Sequence, residues 1–143
     1  MLEKNHVTVR FCIWGFEDIS HDEISKDLGV TPIKQYYKGQ RNNSNYSGLA
    51  KENGWLYEPK TLPDETFDEQ MSSLLNFIEN NEETLIAFSN KYFCEISCAV
   101  FIYCDIEEST PSIHLDAKYN QVVKKLNLDF DVDLYCLQSK DKK

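Results

Sequence analysis

Three of the five cysteines fall within one twelve-residue run, Phe93-Cys94-Glu95-Ile96-Ser97-Cys98-Ala99-Val100-Phe101-Ile102-Tyr103-Cys104. Thiols so placed could hold zinc, close a disulfide or carry redox chemistry. The run lacks Gly and Pro and is rich in Ile, Val, Phe and Tyr, which predicts a strand. Along a strand Cys94 and Cys98 lie roughly 13 Å apart, and Cys98 and Cys104 roughly 20 Å. A disulfide needs Cα atoms within about 7 Å, and zinc needs thiolates at roughly 2.3 Å. Neither can form within the strand. Cys12 and Cys136 could pair across strands, which leaves an odd thiol, and no C-x-x-C occurs. The expectation is that the thiols are small buried hydrophobes. Cys94, Ile96, Cys98, Val100, Ile102 and Cys104 share one face, and the other face is also largely apolar, so the strand is expected to be central in its sheet.

The histidines offer a second chemistry. His21-Asp22 and His114-Leu115-Asp116 place imidazole beside carboxylate, the components of a general base or a metal site. Helix capping by Asp116 and a surface position for His21 account for both without catalysis. No phosphate loop, nucleophile elbow, H-x-x-x-H or dinucleotide fingerprint occurs, and five glycines leave little material for such loops. Neither a metal nor a cofactor is expected. Tyr36, Tyr37, Lys38, Arg41, Tyr46 and Trp55 form an aromatic and basic group around a polar loop. With His114 this group is the candidate binding surface, because aromatic rings bury area while keeping polar tips.

The elements that must position these residues follow from periodicity. The stretch 6–14 alternates Val7, Val9, Phe11 and Ile13 against mixed residues, as a strand does. Ser20 and Glu23 make a capping box, Ile24 and Leu28 one buried stripe, and Gly29 a C-cap, which together predict a short helix. Pro32 ends helical structure, and 31–38 and 55–59 are expected to pair as a hairpin across the loop 39–54, whose Asn42–Asn45 portion has the least reason to pack. From Pro63, the stripe Phe67, Met71, Leu74, Leu75 and Ile78 predicts a helix with Asp64, Glu65, Asp68 and Glu69 early in it, and 84–92 a second. Ser112–Leu115 reads as a short strand. Asp116 caps a helix carrying Ala117, Val122, Val123 and Leu126. Residues 129–137 alternate strictly, with Phe130, Val132, Leu134 and Cys136 expected to face inward. The order predicts an α+β fold with a mostly antiparallel sheet, helices on one side and two loosely echoing halves. One domain is expected over 1–137, with a disordered tail at 138–143.

The formal charge is −9, from 24 acidic and 15 basic groups among 143 residues. It disfavours nucleic acids and anionic membranes, whose phosphates need Lys and Arg, and favours a basic protein partner. Nine acidic residues between Glu58 and Glu95 face only Lys60 and Lys91, which suggests an acidic helical face for that partner. No secretory signal or membrane-length apolar run is visible, so a cytoplasmic location is expected.

Several short motifs, in order, resemble the bacterial domain of unknown function DUF4279. They are Leu28-Gly29-Val30 closing the first helix, Tyr36-Tyr37-Lys38-Gly39, Gly54-Trp55 opening a strand, Ile113-His114-Leu115, and Asp131-Val132-Asp133-Leu134-Tyr135 near the end. Tyr36 departs from the pattern, where Trp is more usual, which weakens any stacking role carried over to that position. The resemblance spans nearly the whole chain and implies the fold; it implies no activity. The functional expectation is a non-catalytic protein-binding module, of the immunity type that neutralises a toxin. The alternative is a small-molecule or hydrolytic site in a cleft near Tyr36, Trp55 and His114. A third reading is a homodimer formed through an exposed strand edge.

Overall fold

The computed structural model describes residues 4–41 and 48–139. Five strands form one sheet in the order β2-β3-β1-β4-β5: β1 is His6–Trp14, β2 Lys34–Tyr36, β3 Gly54–Tyr57, β4 Phe93–Tyr103 and β5 Leu128–Leu137. All neighbours are antiparallel except β4 and β5, which run parallel. Four helices complete the α+β fold: α1 His21–Leu28, α2 Phe67–Asn80, α3 Glu82–Lys91 and α4 Ala117–Val123. The core lies between the helices and one face of the sheet. Val7, Val9, Phe11 and Ile13 of β1 and Cys94, Ile96, Cys98 and Val100 of β4 meet Ile24, Phe67, Leu74, Ile78 and Leu85 there.

The local signals hold where capping chemistry specifies them. Ser20 and Glu23 bond reciprocally as a capping box, and Gly29 ends α1 at φ 70°, a left-handed conformation that costs glycine nothing. Asp116 Oδ1 accepts the Tyr119 N–H at 2.9 Å and starts α4. The hairpin of β2 and β3 forms. The second helix begins later than its acidic lead-in suggests, because Thr66 and Glu69 form a capping box before Phe67. Glu65 lies outside it and instead accepts the Thr61 and Leu62 N–H groups at 2.6 Å.

Four expectations need correction. Residues 112–115 form no strand. Strand β1, not β4, is the middle of the sheet, and β4 is interior but next to the edge strand. The second face of β4 is half-exposed, since the helices cover only one side. On β5, Phe130 packs against the core, but Val132, Leu134 and Cys136 are exposed. Phe130 meets the edges of Phe67 and Tyr119, and no other ring reaches β5 on that face among the described residues. The two halves also differ in topology: β1 is followed by an antiparallel hairpin, whereas β4, α4 and β5 make a parallel crossover unit. The expected disordering of 138–143 and the polar run 42–45 concern residues that, from 140 on and over 42–47, lie outside the described residues. No helix among the described residues is long and apolar enough to cross a membrane.

Candidate functional site

The residues expected to form one cleft occupy three separate places. Tyr36 ends β2 on the sheet face away from the helices, with its ring centroid 5.5 Å from that of Trp14 and Lys34 Nζ 5.0 Å above it. Trp14 in turn lies across Gly54, where any Cβ would clash with the carbons of the indole ring, so the Gly54-Trp55 pair is needed for packing on both faces. Trp55 points the other way. It is fully buried among the core residues and donates its Nε1–H to Ser25 Oγ of α1 at 3.0 Å. No ligand can reach it. His114 is exposed on the helical side. It lines a shallow depression of about 210 Å³ with Asp68, Ser72 and Asn76 of α2 and with Asp116, a carboxylate already engaged in capping α4.

The remaining loop residues are tied to structure. Tyr37 stacks on His21 at 4.1 Å between centroids, and the His21 ring is itself buried, with Nε2 2.8 Å from the Tyr36 carbonyl oxygen. Lys38 donates its backbone N–H to Asn53 Oδ1 at 2.8 Å and sets Nζ 3.3 Å from Glu17. Asn53 also donates to the Phe16 carbonyl at 2.7 Å, so it staples the hairpin to the end of β1. Arg41 is exposed, and Tyr46 lies outside the described residues. Among the described residues no three His, Cys, Asp or Glu side chains are grouped to hold a metal ion.

All five thiols are free. Burial pushes Cys94 up to about 12 and Cys98 up to about 11. Burial, reinforced by the neighbouring Glu95 carboxylate, does the same to Cys12, to about 12. A thiol in that range carries almost no thiolate at neutral pH and is a poor nucleophile. Cys104 and Cys136 differ. Both are exposed, and a hydrogen bond between them raises Cys104.

The strongest polar feature is one that sequence reasoning did not single out. The pairing register aligns Cys12 with Glu95 and Asp129, Arg10 with Ser97 and Asp131, and Thr8 with Ala99 and Asp133. Side chains directly across a sheet share a face, so Glu95, Asp129, Asp131 and Asp133 stand together on the helix-free side. Successive aspartates are about 7 Å apart along β5. Glu95 is raised by burial and then by the three aspartates, while the Trp14 Nε1–H, at 3.0 Å, opposes that shift. Arg10, which the register aligns with Asp131, is engaged by Glu58 at 3.0 Å. No ion pair involves Asp129, Asp131 or Asp133 among the described residues. Beside the acidic group runs an aromatic strip: His6 stacks on Phe101 at 4.6 Å, and Phe101 on Tyr135 at 5.0 Å. On the expected acidic helices, by contrast, Lys118 and Lys125 stand against Glu79 and Glu82 at 3.1 and 3.3 Å. The signal for the sheet site was present as Asp at every second position of a strand.

A surface that combines unpaired carboxylates with flat rings can take cationic side chains, since guanidinium and ammonium groups pair with the former and stack on the latter. No curated protein and no solved structure matches the chain. The family model described as "Domain of unknown function (DUF4279)" matches residues 5–137. With β1 to β5 all inside that span, the chain belongs to the DUF4279 family.

Proposed function

We propose that this chain is a non-catalytic binding module for a basic protein, acting in the cytoplasm as an immunity-type protein does when it masks a toxin. One observation carries the reading: Glu95, Asp129, Asp131 and Asp133 stand on an uncovered sheet face beside the Phe101–Tyr135 stack. The net charge of −9 adds long-range attraction for a cationic partner. Calorimetric titration against a small basic protein, such as any toxin encoded beside this chain, tests it. Exposed ion pairs are each worth about 0.2–1 kcal/mol. Replacing all three aspartates by Asn should therefore weaken binding roughly 10-fold, and salt should weaken the unsubstituted complex more steeply than the variant, which keeps the remaining net negative charge. Equal affinity for the triple variant at low salt would refute the reading.

A further inference from the structure

We infer that β5 is a docking edge for an extended segment of the basic partner, whose alternating cationic and aliphatic side chains extend the sheet by one strand. This rests on the reading above and names how the partner is held. The first observation is an open ladder. Leu137 accepts the Cys104 N–H, 2.9 Å away, through its carbonyl, so the odd-numbered residues of β5 turn their backbone groups toward β4. The alternation of a strand then turns those of Phe130, Val132, Leu134 and Cys136 outward. No backbone bond reaches them among the described residues. The second observation is the side-chain pattern. Asp129, Asp131 and Asp133 lie on one face, and Val132 and Leu134, 40% and 68% exposed, on the other. Charged residues that only blunt an edge against aggregation explain the aspartates; they do not explain two bare aliphatic side chains on the opposite face.

Charge decides the occupant. A second copy of this chain paired antiparallel about Val132 would set Asp131 opposite the partner's aspartate on both sides, and like charges directly opposite are destabilising. A strand with Lys or Arg at every second position reverses that sign and places its aliphatic residues against Val132 and Leu134. Strand addition supplies main-chain bonds for affinity and alternate side chains for specificity.

The probe is the acetylated, amidated peptide Val-Lys-Val-Lys-Val-Lys-Val, titrated at low salt into the isotope-labelled full chain. Saturable amide shifts should cluster at Phe130–Cys136. Two methylated peptides identify the mode. An antiparallel added strand directs the valine N–H groups at β5, and a parallel one the lysine N–H groups. N-methylation of one set should thus weaken binding at least 10-fold, while N-methylation of the other should change it less than 3-fold. Leu134→Pro removes one outward N–H without touching the β4 ladder, an edge position that tolerates proline, and should also weaken binding at least 10-fold at unchanged folding. If that variant does not fold, the methylated peptides still decide. Equal binding by both methylated peptides, shifts centred on Glu95 and Phe101 alone, absence of saturable binding, or a dimer in light scattering with protected β5 amides would overturn the edge. The basic-partner reading survives any of these outcomes if a basic protein still binds in a manner sensitive to the three aspartates, and falls with the edge if none does.

Discussion

Replacing Gln70 by Leu should destabilise the protein by about 2–4 kcal/mol, although position 70 lies on an otherwise apolar helix stripe. Strand β3 is short and pairs with β1 only from Phe11 to Trp14. Beyond that point the edge of β1 would be left bare inside the molecule. Gln70, fully buried on α2, fills the gap: Oε1 accepts the Val9 N–H at 3.0 Å, and Nε2 donates to the Val7 and Glu65 carbonyls at 2.8 and 2.9 Å. Leucine leaves the Val9 N–H and the Glu65 carbonyl without these partners. A buried group orphaned in this way costs about 1–3 kcal/mol. Val7 loses less, since Lys60 Nζ also lies 3.4 Å from its oxygen. The sum is a large share of the roughly 5–15 kcal/mol that holds a domain together. In urea denaturation the midpoint should fall at constant slope, and the Val9 amide should exchange faster. Gln70→Glu should cost more than Leu at pH 7, where a buried carboxylate faces the Val7 carbonyl, and the gap should narrow in acid as the protonated form regains a donor. A loss under about 0.5 kcal/mol for Leu, with Val9 still protected, would refute the account of α2 docking through this amide.

Three further outcomes follow from the same structure. Glu95→Gln should raise the melting temperature at pH 7. The Glu95 carboxyl is raised from its ordinary 4.5, chiefly by burial, so its ionisation removes stability as pH climbs through and above that value; the variant's advantage should vanish below pH 4.5, and a pH-independent difference would contradict the argument. Under native conditions a thiol reagent should modify Cys104 and Cys136 and leave Cys12, Cys94 and Cys98 until denaturant is added, as read by mass spectrometry. Diamide should join Cys104 to Cys136 within one chain, each thiol losing a proton and an electron to the reagent, and Cys136→Ser should abolish the intramolecular link; persistence of an intramolecular disulfide in that variant would show that other thiols come together.

The elements legible in the sequence are those whose signal is local. Ser20, Glu23 and Gly29 specify both ends of α1 through bonds spanning three or four residues, and they form as read. Misreadings arise where the outcome depends on a distant neighbour. Alternation on β5 correctly sorts Phe130, Val132 and Leu134 to one face, but whether that face is covered depends on the length of α4, which ends at Val123 and shelters only Phe130. Trp55 looks like a ligand-binding ring by composition; its partner, Ser25, is thirty residues away. The three places that hold Tyr36, Trp55 and His114 likewise follow from strand parity and helix docking, which the one-dimensional clustering of aromatic and basic letters does not encode. Gln70 is the instructive case, since one amide within the stripe Phe67, Met71, Leu74 was visible, and only the shortness of β3 reveals what it bonds.

The acidity of the chain acquires a location by the same reasoning. In the sequence the carboxylates look densest between Glu58 and Glu95, on the segments that become α2 and α3. Folding brings Lys118 and Lys125 against that surface, and Glu65 and Glu69 are drawn into backbone bonds at helix starts. Screening and pairing leave such groups little field to project. The aspartates of β5 experience the opposite. Their strand is joined parallel to β4, so Glu95 is carried into their company rather than away from it, and Arg10 on that face is already bound to Glu58. A row of exposed carboxylates on an edge strand, with bare aliphatic groups on the opposite face, disfavours pairing with a copy of itself. The partner strand proposed above, alternating in the same way with the opposite charge, complements both faces at once.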